Sequence, residues 1–208
     1  IPEQTDQQAA RESLGLEINR PVIALLPGSR QDEINYIAPR FIQAAKLIRH
    51  ELPEAQFVVP AAGAARYAQL KNLLLQEHCP VQLKQGQSHS CLAAADAVLV
   101  ASGTATLEAT LFKKPMVIAY VMPAVSWHLM KNKGYLPWVG LPNILCKDFV
   151  VPELLQDRAT PQALAEAVLK QLLDDGKRAA LKERFSLLHT ALKRDFALTA
   201  ARTVLEKL

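Results

Sequence analysis

Short apolar runs alternate along the first 120 residues with longer segments in which apolar positions recur every three or four residues. Most of the runs are rich in Val, Ile, Leu and Ala, which is typical of strands that are buried on both faces. The longer segments carry the apolar stripe of helices that pack on a sheet. The alternation predicts an α/β fold: a Rossmann-like parallel sheet of five to six strands with helices on both faces.

Turn-forming residues interrupt this pattern and set the predicted boundaries. The predicted strands are Val22–Leu26, 56–59, 81–84, Ala97–Ala101 and Met116–Tyr120. The predicted helices are 5–14, a helix from 32 or 39 to 51, 64–77, 88–95, 106–112, 123–133, Pro161–Leu173 and 177–208, and residues 134–148 are predicted as loop. Pro39 is expected to kink its helix or to open a second one. The predicted Rossmann-like domain covers residues 1–150, and C-terminal helices over 151–208 belong to it or cross to another domain.

The composition excludes several classes of protein. Half of the 208 residues are hydrophobic and 21% are charged, which suits a soluble globular chain and excludes disorder as the dominant state. The longest smooth apolar run, 116–125, contains Pro123 and is shorter than the roughly 20 residues that a bilayer requires. Three cysteines are too few for a disulfide scaffold, so a reducing compartment is expected. The chain starts at Ile1 without an initiator Met, which predicts a piece of a longer protein.

The basic excess is concentrated in the last segment of the chain. Residues 176–208 hold eight basic and three acidic side chains, whereas the other residues hold 16 basic and 17 acidic ones. A helical stripe runs through the same segment and consists of Leu181, Phe185, Leu188, Leu192 and Phe196. The segment is either a core-packed helix with a solvated basic face or a surface attracted to an anionic membrane. Nucleic acid is not expected as a partner, because no series of stacking aromatics and no nucleic-acid motif occurs.

The first candidate site is the loop that follows the first predicted strand. Its sequence is Leu26-Pro27-Gly28-Ser29-Arg30-Gln31-Asp32-Glu33. Gly28 permits a close backbone approach, Ser29 and the first helical amides are hydrogen-bond donors, and Arg30 carries a planar fork that suits phosphate. In open parallel sheets ligands bind beyond the carboxyl ends of the strands, which is where this loop is expected.

The second candidate site follows the fourth predicted strand. Its sequence is Ala101-Ser102-Gly103-Thr104-Ala105-Thr106-Leu107-Glu108. A strand, a glycine turn and a helix N-terminus again form an anion site, and the hydroxyls of Ser102, Thr104 and Thr106 are further donors. Glu108 lies one turn into the helix, where a carboxylate repels phosphate and is better suited to accept hydrogen bonds from two sugar hydroxyls.

Together the two loops match the groups of a nucleoside diphosphate: two phosphates and a diol. Each loop alone is weak evidence, because a glycine after a strand is more often just a turn. The Walker pattern and the G-x-G-x-x-G pattern are both absent from the sequence, which disfavours ATP hydrolysis and a dinucleotide cofactor.

The sequence indicates neither a metal nor a serine nucleophile. The His78-Cys79 and His89-x-Cys91 spacings match no common zinc motif, and no G-x-S-x-G elbow occurs. No D-x-D pattern occurs that would clamp a metal-bound diphosphate. The charge of a leaving diphosphate would therefore be stabilised by Arg30, helix dipoles and backbone amides, without a metal or cofactor.

Four motifs resemble the lipid-A-disaccharide synthase family in their order and spacing, from about residue 12 to the C-terminus. They are Leu25-Leu26-Pro27-Gly28-Ser29-Arg30-x-x-Glu33, Ala101-Ser102-Gly103-Thr104-Ala105-Thr106-Leu107-Glu108, Pro115-Met116-Val117 with Tyr120, and Leu141-Pro142-Asn143-Ile144. The resemblance implies the GT-B fold, in which two Rossmann-like domains face each other across a cleft. The chain resembles the C-terminal, nucleotide-sugar-binding half. The N-terminal half, which carries the proposed general base, is not in this sequence.

The family resemblance also implies the reaction. It is an inverting transfer of 2,3-diacylglucosamine from UDP-2,3-diacylglucosamine to 2,3-diacylglucosamine 1-phosphate, which gives the lipid A disaccharide 1-phosphate and UDP. The expected place is the cytoplasmic face of the inner membrane, as a peripheral protein on an anionic membrane surface. The isolated half is expected to be inactive. Its last helix commonly crosses to the other domain in GT-B folds, so here it can pair with a second copy in a homodimer.

The resemblance assigns a role to each matching residue. Arg30, with Gly28 and Ser29, meets the diphosphate and stabilises the leaving group, whereas Glu33 either orients Arg30 or touches the ligand. The further implied contacts are Ser102, Gly103 and Thr104 with phosphate, Glu108 with the ribose diol, and Asn143 with the donor sugar or diphosphate. Two alternatives stay open: another GT-B enzyme that uses UDP-GlcNAc, and a non-catalytic nucleotide-binding or oligomerisation module.

Overall fold

The computed structural model describes residues 1–123 and 136–193. Its strands are β1 Val22–Leu26, β2 Gln56–Ala61, β3 Gln82–Gln85, β4 Ala97–Ala101, β5 Met116–Tyr120 and β6 Glu153–Leu155. Its helices are α1 Gln7–Leu14, α2 Gln31–Glu51, α3 Gly63–Gln76, α4 Ser88–Ala94, α5 Thr104–Leu111, α6 Leu141–Cys146, α7 Pro161–Leu173 and α8 Asp175–Leu192. All the strand pairs are parallel in a six-stranded sheet, which confirms the predicted fold class.

The strand order β3-β2-β1-β4-β5-β6 places β1 beside β4 in the middle of the sheet. The chain moves outward from β1 to β3, returns to the centre at β4 and then moves outward on the other side. In open α/β sheets a crevice forms at such a reversal, beyond the carboxyl ends of the strands. Because Leu26 pairs with Val100 at these ends, the two loops that carry the candidate sites lie side by side.

Each face of the sheet has its own apolar core, because successive side chains of a strand point to opposite faces. Ile23 and Leu25 pack in one core, together with α2, α3 and α7. Val22, Ala24 and Leu26 pack in the other core, together with α1, α4, α5 and α8. All five residues of β1 are buried, as expected for a central strand with helices on both sides.

Most of the predicted elements are confirmed. Strands β1, β4 and β5 have the predicted bounds, and Thr160 caps α7 by accepting a hydrogen bond from the amide of Ala163. Helix α2 contains Pro39 and is one helix over 21 residues. A buried stripe from Ile34 to Ile48 anchors α2 to the sheet, and this packing outweighs the backbone hydrogen bond that a proline lacks.

Two short elements differ from the prediction. Leu141–Cys146, predicted as loop, is helix α6, and Pro142 in its first turn suits a helix start. Glu153–Leu155 was not predicted as a strand, but it forms β6 by pairing with Ile118–Tyr120 of β5. Both elements are too short to carry a periodic pattern, so long-range packing determines them.

The C-terminal region packs on the same sheet as far as it is described. Leu181 and Phe185 of α8 are buried, which confirms the core-packed interpretation for this part of the stripe, whereas Leu192 is 42% exposed. Residues 194–208, including Phe196, lie outside the described residues, as does most of the helix predicted over 123–133. The described helices include none that is long and apolar enough to cross a bilayer.

A buried ion pair ties the amino ends of the central strands together. The Asp96 carboxylate accepts hydrogen bonds from Arg11 Nη2 (2.6 Å), the Val22 amide (2.8 Å) and Gln7 Nε2 (3.0 Å). Arg11 Nε also donates to the Ala94 carbonyl at the end of α4. The Arg11 and Asp96 side chains are 9% and 19% exposed, so solvent screens the pair weakly.

We expect Asp96→Ala to lower the free energy of unfolding by about 3 kcal/mol, because it leaves a buried guanidinium without its partner. Urea denaturation followed by circular dichroism measures the loss. The matched control is Glu17→Ala, which removes the exposed Glu17–Arg20 pair (2.9 Å) and should cost less than about 0.5 kcal/mol. Equal losses for the two variants would contradict the assignment.

Candidate functional site

A cleft of about 410 Å³ lies at the carboxyl ends of β1 and β4, where the topology places it. Seven predicted site residues line it: Gly28, Ser29, Arg30, Ser102, Gly103, Thr104 and Glu108. The rest of the lining comes from Glu33 and Ala105, from the ends of β1, β2 and β4, and from the residues that follow β2 and β3 up to the start of α4. A larger cleft of about 570 Å³ contains none of these residues and is lined instead by the N-terminal segment, the segments that precede β4 and β5, and the first turns of α8.

The first loop is built around the carboxylate of Glu33. Glu33 Oε2 accepts hydrogen bonds from the amides of Ser29 (3.1 Å) and Arg30 (3.2 Å), and Oε1 accepts one from Arg30 Nη1 (2.7 Å). Gly28 has a φ of +107°, and a Cβ there would lie 2.5 Å from Glu33 Oε2. Glu33 therefore orients Arg30, whose side chain is 82% exposed and accessible to an anion.

The second loop presents, at the start of α5, two amides that have no acceptor among the described residues. Thr104 and Ala105 are its first two residues, and amides at these positions have no acceptor within the helix. The Thr106 side chain is buried and its hydroxyl donates to the Gly103 carbonyl, so it serves the turn itself. The Ser102 hydroxyl donates to the Val139 carbonyl (3.1 Å) and so directs its proton away from the cleft.

Glu108 lies one turn into α5, on the wall of the same cleft. Its side chain is 35% exposed, and its Oε2 is 3.6 Å from His89 Nε2. The His89 ring packs against Phe112, with a centroid distance of 5.5 Å. The Glu108 carboxylate therefore lies near the His89 ring and is partly exposed on the wall of the cleft, where it can accept hydrogen bonds from hydroxyl groups.

The two cysteines that stand beside histidines in the sequence, Cys79 and Cys91, are buried. Cys91 is fully buried, and burial raises the pKa of its thiol to about 12. Burial also raises the pKa of Cys79. Over residues 1–123 and 136–193, no three metal-ligating side chains come together.

The structure does not bring Asn143 into the cleft. Its amide is fully buried: Nδ2 donates to the Val151 carbonyl (2.9 Å) and Glu153 Oε1 (2.8 Å), and Oδ1 accepts from the amides of Val150 (2.9 Å) and Val151 (3.0 Å). All four hydrogen-bonding positions are used within the chain. The ligand contact that the family resemblance implies stays a prediction, and the geometry favours a role in folding the Leu-Pro-Asn-Ile segment.

Glu153 of β6 organises this segment, and sequence reasoning missed it. Its carboxylate accepts from the amides of Val139 (2.9 Å) and Gly140 (2.9 Å) as well as from Asn143. Because the Val139 carbonyl in turn accepts from Ser102, Glu153 is linked to the second loop through one hydrogen-bonded residue. The signal in the sequence is a lone charge that begins the run Glu153-Leu154-Leu155.

Solved structures share this fold. WaaG, a glycosyltransferase involved in lipopolysaccharide biosynthesis, matches 94% of this chain and 48% of its own, with a TM-score of 0.62 and 18% identity. The C-terminal domain of a group 1 glycosyl transferase from Francisella tularensis matches 90% of this chain and 92% of its own, with a TM-score of 0.61 and 16% identity. The fold is thus that of one half of a GT-B glycosyltransferase.

The particular family follows from sequence comparison. A family model described as lipid-A-disaccharide synthetase matches residues 1–206, and the chain belongs to that family. The lipid-A-disaccharide synthase of Albidiferax ferrireducens is 53% identical over 98% of this chain and 54% of the relative. That of Chromobacterium violaceum is 47% identical over 99% of this chain and 54% of the relative. The chain spans about half the length of these relatives.

We expect Glu153→Ala to lower the free energy of unfolding by about 2 kcal/mol, because it leaves the donors of Val139, Gly140 and Asn143 unpaired. Amide hydrogen exchange at Val139 and Gly140 should become faster in this variant. Glu166→Ala on the exposed side of α7 is the control and should change neither quantity. Unchanged exchange at both amides in Glu153→Ala would show that the carboxylate does not hold this segment.

Proposed function

We propose that the chain is the nucleotide-sugar-binding half of an inverting glycosyltransferase of lipid A synthesis. The full protein would transfer 2,3-diacylglucosamine from UDP-2,3-diacylglucosamine to 2,3-diacylglucosamine 1-phosphate and release UDP. One observation carries the proposal: in a chain of this family, two strand–glycine–helix loops, one of them with the exposed Arg30, and the Glu108 carboxylate line a single cleft. The names of the relatives, lipid-A-disaccharide synthases, support the reaction.

In this proposal the diphosphate of UDP binds at the start of α5. The amides of Thr104 and Ala105 donate to its oxygens, and the positive end of the helix dipole adds to the attraction. The Arg30 guanidinium reaches the diphosphate from the first loop and stabilises the charge that develops as UDP leaves. Glu108 accepts hydrogen bonds from the two ribose hydroxyls, since its side chain is partly exposed to the cleft.

The binding of UDP in related folds supports the choice of nucleotide. The structural neighbour TarM from S. aureus was solved in complex with UDP, and it matches 80% of this chain with a TM-score of 0.55 and 15% identity. At 15% identity, this similarity establishes a shared fold and does not identify the nucleotide that this chain binds. For this chain, the uridine moiety stays a proposal that rests on the family.

Catalysis requires more than this half supplies. The general base for the acceptor hydroxyl and the opposite wall of the cleft are assigned to the other half of the longer protein. We therefore expect the 208-residue chain to bind UDP and to show no transfer by itself. Addition of the folded N-terminal half should restore transfer.

The acylated substrates place the reaction at a membrane surface. We assign it to the cytoplasmic face of the inner membrane, with the protein bound peripherally. The exposed basic side chains of α8, among them Lys177 and Lys182, suit an anionic lipid surface. A second copy of the chain, paired through the terminal helix, stays a prediction.

We expect UDP to bind the chain without Mg²⁺, and Arg30→Ala to weaken that binding about tenfold, because a charge-assisted contact to phosphate is lost. Glu108→Gln should weaken UDP binding but affect 2′-deoxy-UDP less, since that nucleotide offers one hydroxyl fewer. Isothermal titration calorimetry with and without Mg²⁺ measures each affinity.

Arg20→Ala serves as the control for Arg30→Ala, because it removes an exposed arginine at the opposite end of β1. It should leave the affinity for UDP unchanged. If Arg30→Ala and Glu108→Gln bind UDP as tightly as the unmodified chain, the assignment of the site is wrong. Equal affinity for UDP-GlcNAc and UDP-2,3-diacylglucosamine would favour another GT-B enzyme.

A further inference from the structure

The first loop is built like an anion-binding site, but the carboxylate of Glu33 already occupies the position of the anion. Two consecutive amides, those of Ser29 and Arg30, point to one place at the start of the 21-residue helix α2. Glycine at position 28 provides the positive φ that such a turn requires. The Glu33 carboxylate lies where a phosphate oxygen would accept these hydrogen bonds.

The loop is closed tightly around this carboxylate. A Cβ on Gly28 would meet Glu33 Oε2 at 2.5 Å and Glu33 Cβ at 2.9 Å, so there is no room even for a methyl group. Glu33 Oε1 is simultaneously bonded to Arg30 Nη1 at 2.7 Å. A phosphate could accept hydrogen bonds from the two amides of the first loop only by displacing Glu33 Oε2 from them.

The second loop is open by the same measure. Among the described residues, a Cβ built on Gly103 would have no neighbour within 4 Å, although this glycine also has a positive φ, of +155°. The nearest acid on its helix, Glu108, lies one full turn further on and near His89. As far as residues 1–123 and 136–193 show, the first turn therefore contains an anionic side chain and the second does not.

We propose that Glu33 is a specificity-determining residue. Its carboxylate closes the first loop to phosphate and so directs the diphosphate to the second loop. Of the first loop, only the Arg30 side chain then contacts the diphosphate. If the amides of both loops were open to phosphate, a diphosphate could bind across the two loops in two opposite orientations. Only one of these orientations places the ribose beside Glu108. When the Glu33 carboxylate occupies the first loop, the opposite orientation of the diphosphate is no longer possible. Arg30 keeps enough N–H groups to bind both Glu33 and a phosphate.

The inference rests on the proposed function for the identity of the diphosphate, but its central part can be tested with inorganic phosphate. Amide resonances of the ¹⁵N-labelled 208-residue chain report which loop phosphate enters. The variants are Glu33→Ala, which removes the carboxylate from the first loop, and Glu33→Gln, which removes the charge but keeps an acceptor there. Asp32→Asn is the matched control, because it removes an exposed acid from the same helical turn and leaves Glu33 in place.

We expect Glu33→Ala to bind phosphate about tenfold more tightly than the unmodified chain, with new shifts at the amides of Ser29 and Arg30. The affinity for phosphate should rise less than about threefold in Glu33→Gln and Asp32→Asn, because residue 33 still accepts the hydrogen bonds of the first-loop amides in both variants. If phosphate affinity rose as much in Asp32→Asn as in Glu33→Ala, the change in net charge alone would explain the gain, and the proposal would be overturned. A folded Glu33→Ala that binds phosphate no better would overturn it as well.

The unmodified chain gives an independent result that needs no substitution. Phosphate and UDP should shift the amides of Thr104 and Ala105 and leave those of Ser29 and Arg30 unchanged. Shifts at Ser29 and Arg30 would show that phosphate enters the first loop and would refute the role of Glu33. Absence of UDP binding would contradict the proposed function, whereas the phosphate titration of Glu33→Ala would still decide the role of Glu33.

Discussion

The pairing of β1 with β4 is the constraint on which the candidate site depends. Both strands are buried on both faces, so the apolar residues of the two cores fix their position in the sheet. Their parallel register brings Leu26 opposite Val100, and the chain then turns at Gly28 and Gly103 at the same edge. Residues that are about 75 positions apart in the sequence thereby line one cleft of about 410 Å³.

Three carboxylates give this cleft its chemical asymmetry. Glu33 accepts the hydrogen bonds of the first-loop amides and binds Arg30, whereas the first two amides of α5 have no acceptor in the described part of the chain. Glu108 lies further along α5 and is suited to hydroxyl groups rather than to phosphate. Glu153 does not line the cleft, but it accepts a hydrogen bond from the Val139 amide. The carbonyl of the same residue accepts a hydrogen bond from Ser102 in the second loop. In the proposed function, this arrangement is what selects one orientation of a bound nucleoside diphosphate.

The sheet and the cleft could be predicted from sequence because their signals are local. The apolar runs of β1, β4 and β5 and the glycine turns after β1 and β4 are each visible within a few residues. Helix α6, strand β6 and the role of Asn143 could not be predicted in this way. Asn143 looks like an exposed motif residue, but its four hydrogen bonds depend on Glu153 and on the Val150–Val151 backbone, which only the folded chain brings near.

A crystal structure of the chain grown with UDP would show which loop receives the diphosphate. We expect the diphosphate to lie within hydrogen-bond distance of the Thr104 and Ala105 amides and of Arg30, with the ribose hydroxyls on Glu108. We also expect Glu33 to keep its hydrogen bonds to the first loop. A nucleotide bound elsewhere, or a diphosphate inside the first loop with Glu33 displaced, would refute the proposed site.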